Sequence, residues 1–208
     1  QITAAGVFNV SGLTPAQLIL NAGKSKIQGI EVDTSITPFE GLTIDAAYAY
    51  LDTEVKSLVV PAADLVFSQF ALSGARVGSP LTYSPKNKLT LTGTYTLPLP
   101  SDYGRLSVGV TYSHIGSQYT NYQNTPAFLA GRIPYDFGKM PALDLVNLNV
   151  NRTSVADTPI DLALFVTNLS KRKYYNATFG GYANFGLEAA SVGEPRMIGF
   201  RLKYHFGS

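Results

Sequence analysis

Met197-Ile198-Gly199-Phe200-Arg201-Leu202-Lys203-Tyr204-His205-Phe206 alternates its two classes of side chain without a break. Ile198, Phe200, Leu202, Tyr204 and Phe206 fall on one face; Met197, Gly199, Arg201, Lys203 and His205 fall on the other. Successive side chains of a strand point to opposite sides of a sheet, so this is a long strand with one greasy face and one polar face. Such a strand separates two media. Six earlier stretches share the design. No apolar run approaches the ~18 residues a membrane-spanning helix needs. The fold class read from this pattern is all-β: an antiparallel transmembrane β-barrel segment of about seven strands, with lipid outside and water or polar filling inside.

The other strands are expected at 27–37, 42–51, 88–97, 106–114, 143–152 and 160–169. Period two assigns Ile30, Val32, Leu42, Ile44, Leu89, Leu91, Val108, Val110, Leu148, Val150, Leu162, Leu164, Phe200 and Leu202 to the lipid face. Thr90, Thr92, Thr94, Asn147, Asn149 and Asn151 then face inward, with the charges Glu31, Asp33, Asp45, Lys88, Asp161, Arg201 and Lys203. A low-dielectric wall requires paired charge, so these are expected to form a neutralising salt-bridge network against the filling of the lumen, the alternative being an ion or substrate path.

The connections alternate short (38–41, 98–105, 153–159) and long (52–84, 115–142, 170–195). Antiparallel hairpins then place short turns at one end and long loops at the other, as in outer-membrane barrels. The loops are rich in aromatics on glycine-punctuated backbone. Large rigid amphipathic rings supply binding area or anchor a barrel at the membrane interface, so Tyr119, Tyr122, Tyr135, Tyr174, Tyr175 and Tyr182 are the ligand-contact candidates, with a girdle role as the alternative. Arg132, with Arg76 and Lys139, offers a cation for an anionic ligand.

Composition agrees. Charged residues are 14%, against roughly 25% in soluble domains. Aromatics are 12%, as 13 Tyr and 11 Phe without Trp, which suits interfacial girdles. A net charge of +2 does not point to nucleic acid. The absence of Cys excludes disulfides and thiolate metal sites. Neither His114 nor His205 has metal-ligand spacing, and there is no nucleophile elbow, phosphate loop or dinucleotide fingerprint. No catalytic residue, metal or cofactor is therefore expected, and the protein reads as a non-enzyme.

Four segments resemble the C-terminal part of TonB-dependent outer-membrane receptors. They are Gln28-Gly29-Ile30-Glu31-Val32 leading through Pro38 and Gly41-Leu42-Thr43 to Tyr48-Ala49-Tyr50; Ser84-Pro85-Lys86-Asn87-Lys88-Leu89; Val166-Thr167-Asn168-Leu169 with Lys173-Tyr174-Tyr175; and Gly193-Glu194-Pro195-Arg196 before a terminal strand ending at Phe206. The resemblance implies a barrel of about 22 strands with a plugged lumen. It makes Asn168, Leu169, Gly193, Pro195, Arg196 and Phe206 family-motif residues. It also implies import of a scarce ligand across the bacterial outer membrane, most often a ferric siderophore. The implied partners are outer-membrane lipid, the ligand, the rest of the same barrel, and the TonB complex reached through a plug.

The expected organisation is a loop or the end of an upstream strand over 1–26, and the C-terminal part of a receptor barrel over 27–206. No plug domain is expected within these residues. The rivals are a self-contained small barrel, acting as a passive pore or surface-binding protein, and a soluble β-sandwich. In the small barrel, residues 2–10 would supply an eighth strand bonded to both 27–37 and 196–206. The receptor reading expects an open sheet without those bonds.

Overall fold

Seven antiparallel strands form one open sheet in the computed structural model, which describes residues 23–58, 76–179 and 186–206. They are β1 (Gly23–Phe39), β2 (Leu42–Leu58), β3 (Asn87–Thr96), β4 (Arg105–Ile115), β7 (Leu143–Thr153), β8 (Ile160–Thr167) and β11 (Met197–Tyr204). Two short hairpins sit in the long connections: β5 (Gln118–Tyr119) with β6 (Lys139–Met140), and β9 (Tyr175–Phe179) with β10 (Ala189–Val192). The sheet order is β1-β2-β3-β4-β7-β8-β11, so every main strand pairs with its neighbour along the chain. The short turns 40–41, 97–104 and 154–159 thus lie at one end, and the long connections at the other. Among the described residues, β1 and β11 are the two sheet edges. Residues 2–10, which would close the small barrel, lie outside the described residues.

The register carries the sidedness predicted from period two. Ile36, Ile44, Gly93, Val110, Leu148, Val166 and Ile198 stand side by side across all seven strands. The next row of the same face is Leu42, Tyr95, Val108, Val150, Leu164 and Phe200. On the opposite face Thr43, Thr94, Gly109, Asn149, Phe165 and Gly199 form a row. A Thr92–Thr111 hydroxyl contact at 3.1 Å ties β3 to β4 on that polar side. Directly opposed residues of antiparallel strands share a face, so slipping one strand by one residue would mix the two faces.

Aromatics rim the apolar face at both ends. Near the long loops stand Tyr48, Tyr50 and Tyr112; near the short turns, Phe39 packs on Tyr95 (6.3 Å) and Tyr204 on Phe206 (4.6 Å). Beyond Tyr50, the same face of the β1–β2 hairpin becomes Gln28, Asp52, Lys26 and Glu54. Gln28 donates to Asp52 (3.2 Å), and Lys56 pairs with Glu54 (2.5 Å). The hairpin strands are 17 residues long, whereas about ten residues cross a bilayer. Its upper part therefore projects above the apolar band. This corrects the expected end of the second strand at residue 51: β2 runs on to Leu58.

The polar face holds the charges that parity places there. Glu31, Asp33, Asp45, Lys88, Asp161, Arg201 and Lys203 do lie on it, but they form no continuous salt-bridge network among the described residues. Acidic side chains gather on β1–β2, where Ser35 donates to Asp45 (2.6 Å). Basic ones gather on β11, where Arg201 lies over the Phe165 ring (6.0 Å). Asp161 is held by His205 (2.7 Å) and by the Ser154 amide (3.0 Å), which pins the last short turn to the end of β11.

A sheet exposed on both faces has little core of its own. Among the described residues, three of the four buried apolar side chains, Val55, Tyr122 and Ile133, lie instead at the long-loop end. The packed interior of the described chain is a loop layer resting on the upper strand ends.

Candidate functional site

Three connections knit that layer together. The Tyr83 amide donates to the Tyr119 carbonyl (2.7 Å) and the Tyr122 hydroxyl to the Pro80 carbonyl (2.5 Å), joining the first connection to the second. Thr120 meets Thr178 through their hydroxyls, and the Asn124 side-chain Nδ2 donates to the Glu188 carboxylate, joining the second to the third. Within the second, Tyr119 and Tyr122 stack at 4.5 Å, and the Lys139 ammonium caps the Tyr119 ring at 5.7 Å. A short helix, α1 (Thr125–Leu129), begins with Pro126 in its first turn and is anchored by a Thr125 hydroxyl bond to Asp136 (2.7 Å). Asp136 also accepts from the Gly138 amide (3.2 Å). A β-carbon on Gly138 would meet the Asn121 carbonyl oxygen at 2.2 Å, so only glycine fits there.

Burial raises the Tyr119 phenol above its ordinary value and pushes Tyr122 up to about 12. The Asp136 charge adds to both, and Tyr119 itself adds to Tyr122. These two rings are pillars of the layer. Tyr122, one of the expected contact residues, is 3% exposed with its hydroxyl engaged, so its ring serves the layer's own packing.

Between the second and third connections lies a cavity of about 460 Å³. Tyr135, Phe137, Lys139 and Met140 line one side; Tyr175, Thr178 and Glu188 line the other. Tyr135 and Phe137 meet edge to face at 6.2 Å. Tyr135 is 68% exposed and Tyr175 53% exposed, so their rings are presented rather than used internally. Of the expected candidates, Tyr135 and Tyr175 are thus brought together, with Tyr119 behind them through Lys139. Arg132 is exposed on the loop after α1 and does not line the cavity. Tyr182 lies outside the described residues. The sequence offers Phe137 only as one of the loop aromatics and gives no sign of Thr178 or Glu188, because loop residues carry no periodicity that sorts presented from buried side chains.

Five of the motif residues, Asn168, Leu169, Gly193, Pro195 and Arg196, converge separately, where β8 ends, whereas Phe206 lies at the short-turn end beside Tyr204. Asn168 is 3% exposed with φ +48°, a left-handed conformation that asparagine tolerates. Its side chain donates to the carbonyls of Arg172 (2.8 Å) and Glu194 (3.1 Å) and accepts from the Arg172 amide (2.7 Å). The Asn168 amide donates to Asn147 (2.9 Å), and the Leu169 amide to the Val146 carbonyl (2.8 Å). The Gly193 amide donates to the Tyr174 carbonyl (2.8 Å), and the Tyr174 ring lies where a β-carbon on Gly193 would be, at 2.2 Å. Asn168, Tyr174 and Gly193 therefore join the start and the finish of the third connection.

A seven-stranded wall with this loop layer matches known proteins. Residues 1–169 match the family model described as TonB dependent receptor-like, beta-barrel. The chain belongs to that family. This receptor barrel is similar to the ferric yersiniabactin uptake receptor FyuA of Yersinia pestis, at 15% identity and TM-score 0.65 over 88% of this chain and 24% of that one. It is similar also to BauA, the ferric preacinetobactin receptor of Acinetobacter baumannii, at 21% identity and TM-score 0.63 over 89% of this chain and 23% of that one. The ferric citrate transporter FecA in its unliganded form gives 19% identity and TM-score 0.61 over 86% of this chain and 24% of that one. At these identities the likeness is one of fold. The chain spans about a quarter of the length of these receptors. No curated protein matches the sequence. The family is one of receptors rather than enzymes, and its barrel is antiparallel and membrane-spanning, which assigns the apolar face of the sheet to lipid and the polar face to the lumen.

Proposed function

We propose that this receptor barrel is the C-terminal wall and loop layer of an outer-membrane importer coupled to TonB, and that its ligand is a ferric siderophore. The observation that carries this reading is the cavity between the second and third connections, where Tyr135, Phe137 and Tyr175 present aromatic surface on a hydrogen-bonded frame. Rigid rings mounted this way bind a bulky amphipathic ligand at little entropic cost. Lys139 stands on the cavity wall and Arg132 on the adjacent loop, where both attract an anionic chelate. The similar proteins are a ferric yersiniabactin uptake receptor, a ferric preacinetobactin receptor and a ferric citrate transporter, which supports the same class here.

In this reading, residues 27–206 are the terminal part of a larger barrel. The remaining strands and the plug belong to the same receptor, and the plug carries the TonB contact. Ligand capture is the work of this layer; passage through the lumen requires the rest. The test is growth and uptake of radiolabelled iron in an iron-limited strain carrying the full-length receptor or its deletion, across a panel of ferric chelates. One chelate is expected to lose uptake in the deletion strain. Tyr135→Ala with Tyr175→Ala is expected to weaken that uptake about tenfold or more, since aromatic anchors dominate binding. Unchanged uptake of every ferric chelate on deletion would overturn the reading.

A further inference from the structure

A second cavity, of about 580 Å³, opens at the base of the third connection and gathers Lys171, Arg172, Lys173 and Arg196 around Tyr174 and Tyr175. No carboxylate lines it, and none of the four cations is in an ion pair among the described residues. Four unpaired cations around one hollow repel one another, so a multivalent anion there is favoured. Arginine and lysine together suit a phosphate, which takes forked guanidinium bonds and point-charge contacts at once.

The position narrows the class of anion. The cavity is built on the Asn168 junction, where β8 ends, beside the rim of the lipid face. Arg172 acts electrostatically on Asp144, which holds Tyr112 (2.6 Å) and His114 (2.7 Å) on that same rim. The Leu169 amide bonds to the carbonyl of Val146, a lipid-face residue, and Leu169 is 41% exposed. Val192, on the cavity wall, is 71% exposed. Cations in a hollow, with tyrosines and bare aliphatics alongside at the level where lipid meets water, match a head group joined to an acyl body.

We propose that this cavity binds the phosphate of an anionic lipid head group in the leaflet that faces the long loops. The inference rests on the membrane orientation of the barrel and not on the identity of its cargo. Tyr175 also lines the cavity next to Tyr135, so the cargo itself is the rival occupant, and the test separates the two.

The experiment uses the full-length receptor in neutral detergent, with binding read by native mass spectrometry. The probes are short-chain phosphatidic acid, short-chain phosphatidylcholine and inorganic phosphate. Phosphatidic acid is expected to bind, phosphatidylcholine and inorganic phosphate at least about tenfold more weakly, and affinity is expected to fall with salt. Lys171→Gln with Arg172→Gln and Lys173→Gln is expected to lower phosphatidic acid binding about tenfold or more, since three charge-assisted contacts are lost. Lys171→Arg with Lys173→Arg keeps the charge and is expected to retain it, which separates loss of the site from loss of the fold. Equal binding by the parent and the triple glutamine variant would overturn the proposal, as would equal binding of inorganic phosphate or of phosphatidylcholine. If the triple variant kept the lipid and lost iron uptake, the cavity would belong to the cargo path. Failure of every ferric chelate in the uptake assay would leave the lipid result standing.

Discussion

Asn168 donates to the carbonyl of Glu194 at 3.1 Å, which ties the end of β8 to the approach of β11 across the whole third connection. The same side chain bonds twice to Arg172. An alanine here would leave two carbonyls and one amide unpaired in a buried place, and would keep the left-handed backbone. Asn168→Ala is expected to cost about 2–4 kcal/mol. The measurement is urea unfolding of the full-length receptor in lipid. A loss below about 0.5 kcal/mol, the size of an ordinary surface substitution, would show that the junction does not depend on this side chain.

Val110 and Thr92 lie in the central strands with opposite sidedness. Val110 shares its row with Ile44, Leu148 and Ile198, while Thr92 faces Thr111. Arginine on the lipid face must strip its charge or drag water into hydrocarbon. Val110→Arg is expected to cost about 2–4 kcal/mol, and Thr92→Arg close to nothing. The same unfolding measurement compares them, and equal costs would refute the assignment of faces.

Gly199 faces Phe165 directly on the lumen side, and a β-carbon on Gly199 would stand 2.1 Å from the tip of that ring. The ring is also covered by Arg201. Gly199→Ala must therefore displace it, at about 1–3 kcal/mol. In a Phe165→Ala background the clash is gone, and alanine is expected to be neutral or to stabilise the strand by about 0.5–1 kcal/mol. A double-mutant cycle reads the coupling, and additive effects would contradict the contact.

Much of this arrangement is legible in the sequence because lipid imposes period two. All seven main strands, their faces and the alternation of short and long connections follow from it. The pattern fades where lipid no longer acts. Asp52, Glu54 and Lys56 interrupt the greasy face of β2, yet the strand continues, held by pairing with β1 rather than by hydrocarbon. The hairpins β5–β6 and β9–β10 and the five-residue helix α1 are too short to show a period. Composition singles out the loop tyrosines as a class, but it cannot tell presented Tyr135 from buried Tyr122. That difference arises from tertiary bonds, such as the one to Pro80, between residues far apart in the chain. The lumen charges are placed on the correct face by parity, but their pairing depends on which strands adjoin, so His205 with Asp161 appears only in the structure.

Tyr122 makes the loop layer sensitive to alkali. Its phenol is pushed up to about 12 by burial first, then by the nearby Tyr119 and Asp136. In the unfolded chain it titrates at its ordinary value, near 10. The folded layer thus holds the proton more tightly than the unfolded one. Its contribution is complete below about pH 10 and is lost as pH rises towards about 12, because the unfolded chain alone gains from ionising in that window. A shift of this size corresponds to something on the order of 2 kcal/mol. The phenolate would also abandon its bond to the Pro80 carbonyl, leaving two oxygens with no proton between them. Protease cleavage within the long loops of the full-length receptor should rise over that range while the barrel strands stay protected. Tyr122→Phe cannot ionise, so its loops should show a flatter pH response from a slightly less stable start, since the Pro80 carbonyl loses its donor at about 1 kcal/mol. Loss of loop protection that begins well below pH 10, or that is identical in the phenylalanine variant, would show that another group controls the layer.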